Sequence, residues 1–87
     1  MAYSILIAPA AKRDLKRLPK DALRRVSAAI TSLADDPHPA GSTKLSGADF
    51  YRIRVGDYRV IYQVQERQVI VLVLRVGHRR DVYRNLP

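Results

Sequence analysis

The sequence predicts an α+β domain with the element order β-α-α-β-β-β, in which a helical hairpin packs on one face of an antiparallel sheet. Two observations lead to this fold class. Apolar residues recur every three or four positions in the first third of the chain, which is typical of amphipathic helices, but every second position from residue 50, which is typical of strands. With 87 residues and no internal repeat, the chain is expected to form a single domain spanning residues 1–87.

The N-terminal segment predicts one strand followed by one helix. Residues 3–8 are rich in β-branched and aliphatic side chains and end at Pro9, whose missing N–H suits the first position of a helix. Ala11, Leu15 and Leu18 then fall on one face of that helix, and Pro19 ends it.

A second helix and a loop are expected next. Apolar residues continue at helical spacing from Leu23 to Leu33, and the aspartates that precede Pro37 end the helix. The stretch from Asp36 to Asp49 contains proline, glycine and serine without periodicity, so it predicts a loop. At the end of this loop, Lys44 is expected to begin a short strand at the edge of the sheet.

The C-terminal half predicts three strands over residues 50–55, 58–65 and 68–76. Connections of two residues separate them, and connections this short join only antiparallel strands. Alternation assigns their faces. The apolar face, which the hairpin must cover, is expected to hold Tyr51, Ile53, Val55, Tyr58, Val60, Tyr62, Val64, Ile70, Leu72, Leu74 and Val76.

The opposite, open face carries the arginines. It is expected to hold Arg52, Arg54, Arg59, Arg75 and, beyond Gly77, Arg79. A face with this many arginines and no acidic residue indicates an anionic ligand, because a guanidinium binds phosphate through planar, bidentate hydrogen bonds and keeps its charge.

The composition of the chain favours the same kind of ligand. Sixteen Lys and Arg residues against eight Asp and Glu residues give a formal net charge of +8, and such an excess favours a polyanionic partner. Cysteine is absent and the two histidines, His38 and His78, are isolated, so neither a disulfide, a metal site nor a cofactor is expected. No apolar run reaches the roughly 20 residues of a membrane span, so we expect a cytoplasmic protein without membrane contact.

Two blocks of the sequence carry a recognisable motif. Residues 50–64 include Tyr58-Arg-Val-Ile-Tyr62, and residues 76–83 include Gly77-His-Arg followed by Val82-Tyr83. Together these blocks resemble the RelE/ParE superfamily of toxins from bacterial type II toxin–antitoxin systems, and within it the RelE-like branch. The resemblance extends to the N-terminal strand, to residues 12–19 and to residues 44–45, so it covers nearly the whole chain.

Membership of the RelE-like branch would imply a ribosome-dependent endoribonuclease. Such a toxin cleaves messenger RNA in the ribosomal A site and inhibits translation. The ribose 2′-OH attacks the adjacent phosphate, giving a 2′,3′-cyclic phosphate and a 5′-OH without a metal. The residues that match the functional positions of the family are Arg52, Arg54, Arg59, Arg79 and Tyr83, and further RNA contacts are expected from Arg75, His78 and Lys44.

The general base is where this chain departs from the pattern. Strong members of the family carry lysine at the positions of Arg52 and Arg54, and a guanidinium is a poor proton acceptor because it stays protonated at neutral pH. Activity is therefore expected to rest on electrostatics and on alignment of the substrate by the ribosome.

The resemblance also implies partners. These are an acidic antitoxin that folds over the toxin, the ribosomal A site with its messenger, and operator DNA that is contacted only through the antitoxin. Three alternatives stay open at this stage: a ParE-like inhibitor of DNA gyrase, a non-catalytic basic module that binds RNA or the ribosome, and a degenerate toxin in which the change from lysine to arginine abolished cleavage.

Overall fold

The secondary structure follows the predicted order, with one short strand added. The computed structural model describes residues 2–45 and 49–78. In chain order the elements are β1 (Ser4–Ile7), α1 (Pro9–Lys16), α2 (Lys20–Ser32), β2 (Thr43–Lys44), β3 (Phe50–Val55), β4 (Tyr58–Gln65) and β5 (Ile70–His78). The α+β class is confirmed, and β2 forms where the sequence predicts an edge strand at Lys44.

All the strands of the described residues belong to one sheet with the order β1-β5-β4-β3-β2. The antiparallel meander of β3, β4 and β5 is confirmed, and β2 pairs antiparallel with β3. The sheet is mixed rather than purely antiparallel, however, because β1 pairs in parallel with β5, from Ser4 opposite Ile70 to Ile7 opposite Val73. Parallel pairing is possible here because the rest of the domain, including both helices, connects the two strands.

Prolines set the start of both helices. Pro9 occupies the first turn of α1 after an extended Ala8, and Pro19 precedes α2 in an extended conformation. Arg13 and Lys16 lie in the last turn of α1, where a positive charge is favourable near the negative end of the helix dipole. Within the described ranges, neither helix is long and apolar enough to cross a membrane.

The core lies between the hairpin and the predicted apolar face of β3 and β4. Ile53, Val60, Tyr62 and Val64 are buried in one cluster with side chains of both helices, and Tyr51, Val55 and Tyr58 pack against it. Its members from the helices are Ala11, Val26 and Ile30, and Leu33, which directly follows α2, also belongs to it. The face assignment of β3 and β4 is therefore confirmed.

Tyr62 joins this core to the loop before β2. Its side chain is fully buried, and its hydroxyl donates a hydrogen bond of 2.8 Å to the carbonyl of Pro37. Burial raises the pKa of Tyr62 to about 12. The loop is thus attached to the underside of the sheet by a buried polar contact.

We expect Tyr62→Phe to lower the free energy of unfolding by about 1 kcal/mol, because the buried carbonyl of Pro37 loses its donor. Urea unfolding at neutral pH measures this difference. Tyr58→Phe is the matched control, since Tyr58 lies at the margin of the same core and should change stability much less. Equal stability of wild type and Tyr62→Phe would contradict the role given to this bond.

β5 departs from the predicted faces. Ile61 pairs with Arg75 but Tyr62 pairs with Val73, so Leu74 is an extra residue that forms a β-bulge. Before the bulge, Val71 and Val73 face the core at 0% exposure. The prediction that Ile70, Leu72 and Leu74 face inward is therefore wrong, whereas Val76, beyond the bulge, is buried as predicted.

Candidate functional site

The centre of the candidate site is a pair of arginines on neighbouring strands. The tight turn at Gly56 and Asp57 joins β3 to β4 and sets their register, so that Arg54 and Arg59 lie directly opposite each other. Their side chains share the face of the sheet that does not meet the core. Like charges directly opposite on a sheet repel each other, so this arrangement weakens the fold unless an anion lies between them.

Arg59 also has an unsatisfied donor. Its Nε atom is buried and has no hydrogen-bond partner among the residues that the structure describes. No carboxylate in residues 2–45 and 49–78 forms an ion pair with Arg54 or Arg59. A buried N–H without an acceptor is costly, and a bound phosphate oxygen would supply one.

Arg52 lies on the same face as this pair, nearer the edge of the sheet. It is opposite Ile61 on β4 and opposite Thr43 on β2. Its Nη2 donates a hydrogen bond of 3.3 Å to Oγ1 of Thr43. Arg52 is therefore held by β2 at the side of the arginine pair.

A cavity of about 290 Å³ opens beside these residues. It lies between strand β3 and the segment that leads into β2, and its lining consists of Ala40, Gly41, Thr43, Arg52, Ile53 and Arg54. The lining thus includes the guanidinium groups of Arg52 and Arg54 and the hydroxyl of Thr43, which is a suitable environment for a phosphate or a ribose.

Arg75 does not belong to this group, which corrects the prediction that all the arginines of the open face are unpaired. Its Nε donates to Oδ2 of Asp14 at 2.8 Å and its Nη2 donates to Oδ1 at 3.1 Å. The backbone N–H of Val76 donates to the same carboxylate at 2.9 Å. Because Asp14 lies on α1, this ion pair links the helix to β5, at a position past the end of the pairing between β1 and β5. It also neutralises the charge of Arg75.

The ionisation of Asp14 is favoured by its partners. Burial opposes the charged form, but the hydrogen bonds from Arg75 and Val76, together with the charges of Arg75 and Arg17, outweigh it and lower the pKa of the carboxyl. The same contact raises the pKa of Arg75. Both groups therefore carry their full charges at neutral pH.

The other predicted RNA contacts lie away from the arginine pair. Lys44 is exposed and lies opposite Tyr51, which places it on the core side of the edge strand. His78 lies opposite Tyr58, also on the core side, with the two ring centroids 6.1 Å apart. Arg79 and Tyr83, which were predicted from the resemblance, lie outside the described residues.

Two residues of this region were not identified from the sequence. Asp14 follows Ala11 by three residues and precedes Leu18 by four, so it lies on the apolar stripe of α1, and a carboxylate in that position signals a buried partner. Thr43 carries no comparable signal, because its contact with Arg52 depends on the pairing of β2.

The part of the open face that lies over β1 and β5 is apolar. Leu6 of β1 lies opposite Leu72 of β5, on the face opposite Val71 and Val73. Leu6 is 49% exposed. The face therefore combines a basic region over β3 and β4 with an apolar region over β5 and β1.

Comparison with known proteins agrees with this structure. Residues 5–83 match the sequence profile of the family described as "ParE toxin of type II toxin-antitoxin system, parDE". The chain is 34% identical to toxin RelG of Mycobacterium tuberculosis over 97% of its length and 99% of the relative's. It is 30% identical to putative toxin RelE1 of Methanocaldococcus jannaschii, with 98% and 99% of the two chains covered.

Solved structures share the fold over most of the chain. The RelE–RelB complex from Pyrococcus horikoshii contains a chain with a TM-score of 0.83 and 33% identity, covering 94% of this chain and 100% of that one. The RelBE2 toxin–antitoxin complex from Mycobacterium tuberculosis contains one with a TM-score of 0.80 and 30% identity, covering 91% and 100%. The chain therefore belongs to the RelE/ParE family of toxins from type II toxin–antitoxin systems and is a RelE-like member of it.

Proposed function

We propose that this toxin is a ribosome-dependent endoribonuclease that cleaves messenger RNA in the A site. The observation that carries the proposal is the cross-strand pair of Arg54 and Arg59, two like charges placed opposite each other with a buried donor left unsatisfied. Such a pair suits a site in which negative charge increases during the reaction, because preorganised donors then stabilise the transition state more than the substrate.

The proposed reaction is transesterification within the messenger. The 2′-oxygen forms a bond to the adjacent phosphorus, the bond from phosphorus to the 5′-oxygen breaks, and the products are a 2′,3′-cyclic phosphate and a 5′-OH. The proton of the 2′-OH passes to water and the 5′-oxygen takes up one proton, so the step is balanced without an oxidant or a reductant, and the proposed mechanism uses no metal or cofactor. Arg54 and Arg59 would bind the phosphorane-like transition state, with Arg52 beside them.

Arg79 and Tyr83 complete the proposed site. From the resemblance, Arg79 would neutralise or protonate the leaving 5′-oxygen, and Tyr83 would stack on a base or orient the 2′-OH. Arginine is a poor general base, so the proposal assigns to Arg52 electrostatic stabilisation rather than proton abstraction. The ribosome would then contribute mainly by aligning the 2′-OH with the phosphate.

The proposed protein partner is an acidic antitoxin. Several structures similar to this chain are described as toxin–antitoxin complexes, among them RelE–RelB from Pyrococcus horikoshii. The open face supports a partner of this kind, because an acidic amphipathic segment could place carboxylates on the arginines and apolar side chains on Leu6 and Leu72. Such a segment would compete with RNA for the same arginines.

Mapping messenger 5′ ends after incubation with translating ribosomes tests the proposal. We expect new ends within A-site codons that carry a 5′-OH, paired with fragments that end in a 2′,3′-cyclic phosphate. Prior addition of the antitoxin should abolish them. Intact messenger together with gyrase-dependent DNA breaks would instead identify a ParE-like gyrase inhibitor, and binding to ribosomes without either kind of break would identify a non-catalytic module.

A further inference from the structure

The cavity beside Arg52 and Arg54 has one wall that is formed by a turn of the loop before β2. In this turn, the backbone N–H of Ser42 donates to the carbonyl of Pro39 at 2.9 Å. Gly41, the third residue of the turn, has a φ of +91°, the left-handed conformation that a type II turn requires there and that favours glycine. A Cβ built on Gly41 would meet no atom of the described residues within 4 Å. The glycine therefore serves the turn, and the cavity in front of it stays open.

Contacts with the sheet hold this loop in place. The hydroxyl of Tyr62 donates to the carbonyl of Pro37. At the next residue, Nε2 of His38 donates to Oε1 of Glu66 at 3.0 Å, and the imidazole packs edge-on against Tyr51 with the ring centroids 4.7 Å apart. Glu66 directly follows β4 and Tyr51 lies on β3, so the loop is attached to both strands. The cavity is therefore preformed, as ligand sites usually are.

Thr43 supplies a hydroxyl at this cavity. Its Oγ1 accepts the hydrogen bond from Nη2 of Arg52, and a hydroxyl has two acceptor positions and one donor. Among residues 2–45 and 49–78, the O–H of Thr43 has no acceptor, and its side chain is exposed. Thr43 can therefore donate one hydrogen bond to a ligand and accept another from it. A hydroxyl group is the ligand that makes both kinds of contact.

The lining of the cavity suits a ribose better than a base. In the described part of the chain no aromatic ring lines it, whereas unpaired bases are usually recognised by stacking on aromatic side chains. The lining combines the small residues Ala40 and Gly41 with the hydroxyl of Thr43 and two guanidinium groups. A ribose has the matching mixture of apolar ring carbons and hydroxyl groups. Its 2′-OH, which donates and accepts, is the group by which proteins distinguish RNA from DNA.

The position of the cavity indicates a neighbour of the reacting nucleotide. In the proposed reaction, the ribose whose 2′-OH attacks must lie at the phosphate held by Arg54 and Arg59. Arg52 lies on the same face of β3 two residues away, about 6 to 7 Å along the strand. This distance is comparable to the length of one nucleotide in an extended RNA strand. The cavity on that side is therefore within reach of the next ribose.

We propose that this cavity binds the ribose of a nucleotide adjacent to the cleaved link, and that Thr43 recognises its 2′-OH. The inference rests on the proposed nuclease function and extends it, because the reaction itself requires a 2′-OH only at the reacting nucleotide. Thr43 is thus a specificity-determining residue. It selects ribose over deoxyribose at a position where transesterification makes no such demand.

Single 2′-deoxy substitutions in the messenger test this assignment. Once the cleaved link has been mapped, deoxyribose is placed at the nucleotide on the 5′ side or on the 3′ side of the reacting one. Single-turnover cleavage on programmed ribosomes is then measured with wild type, Thr43→Val and Thr43→Ser. Thr31→Val is the matched control, since Thr31 is the other threonine of the chain and its hydroxyl donates within α2. Thermal unfolding verifies that all the variants are folded.

Wild type is expected to cleave one of the two deoxy messengers about three- to tenfold more slowly than the all-ribose messenger, the usual effect of one lost neutral hydrogen bond. Thr43→Val has a similar shape but no hydroxyl, so it should cleave both messengers at rates within about twofold of each other. Thr43→Ser and Thr31→Val should discriminate as wild type does. A purely structural role of Thr43 would slow both messengers equally and keep their ratio, which would overturn the proposal, as would equal cleavage of all messengers by wild type.

Two further measurements separate the ribose from the base and the cavity from the nuclease function. An abasic ribose at the same nucleotide keeps the 2′-OH, so its effect should be equal in wild type and Thr43→Val; an effect of the missing base that Thr43→Val removes would assign the cavity to the base and overturn the proposal. If wild type leaves the all-ribose messenger intact, deoxyribose is scanned along the A-site codon and the affinity of the toxin for the ribosome complex is measured. A preference for ribose that depends on Thr43 would then contradict the nuclease function and leave the ribose site standing, and its absence would overturn both.

Discussion

Arg59→Ala is expected to reduce the rate of messenger cleavage on programmed ribosomes by a factor of about 10² to 10³, the usual effect of removing one preorganised donor from a transition state. Arg59 provides both a charge opposite Arg54 and a buried Nε that lacks an acceptor among the described residues. Single-turnover cleavage with saturating toxin measures the effect. Arg67→Ala removes an equal charge from the turn between β4 and β5 and is expected to cleave at the wild-type rate.

Stability distinguishes this role from a structural one. Removing Arg59 relieves its repulsion with Arg54, so the free energy of unfolding should not fall by more than about 1 kcal/mol. If both arginines bind the same phosphate, the double variant Arg54→Ala with Arg59→Ala should lose less than the product of the two single effects. Cleavage by Arg59→Ala within threefold of wild type would contradict the role proposed for the pair.

Asp14→Ala is expected to have the largest effect on stability, lowering the free energy of unfolding by about 3 kcal/mol. The substitution leaves the partly buried guanidinium of Arg75 and the N–H of Val76 without their acceptor. Urea unfolding at pH 7 measures the loss. Asp35→Ala, which removes an exposed carboxylate after α2, is the control and should change stability by less than about 0.5 kcal/mol.

A second substitution tests the cause of this loss. Asp14→Leu combined with Arg75→Met replaces the ion pair with apolar side chains and should recover most of the lost stability, because no uncompensated charge remains. If the double variant is as unstable as Asp14→Ala, the charge of Arg75 is not the cause.

The pH dependence of stability follows from the same contact. The pKa of Asp14 is lower in the folded protein than its ordinary value of 3.8. The ion pair therefore contributes its full stability above that value and loses it as the pH falls through the folded pKa. The difference in stability between wild type and Asp14→Ala should accordingly shrink at acidic pH, and a difference that stays constant down to pH 2 would contradict this assignment.

The parts of the site that could be predicted are those governed by tight turns. Because two residues connect β3 to β4, the register follows from the sequence, and with it the opposition of Arg54 and Arg59. β5 has no such constraint, because residues 66–69 connect it to β4 instead of the two residues that the sequence predicts. From Ile70 to Leu74 every side chain of β5 is aliphatic, so the pattern of apolar and polar residues does not indicate which of them face the core. The bulge at Leu74 then shifts the alternation by one residue, so that the residues before it face the opposite side from the one predicted.

Long-range contacts of single side chains could not be predicted either. The pairing of Arg75 with Asp14 depends on where α1 ends relative to β5, and that position is set by the parallel pairing of β1 with β5. Local patterns identify each of these elements but not which strand β1 joins. The position of Asp14 on the apolar stripe of α1 was the available signal of such a pair.

The pairing of β1 with β5 also determines the order in which the nascent toxin can fold. β1 leaves the ribosome well before its partner, which is synthesised only after both helices and the first strands of the meander. Closing so long a loop is slow and entropically unfavourable before the final contacts form. During its own synthesis the chain therefore exposes an unpaired apolar strand, and the fold of the toxin can be completed only after β5 has been synthesised.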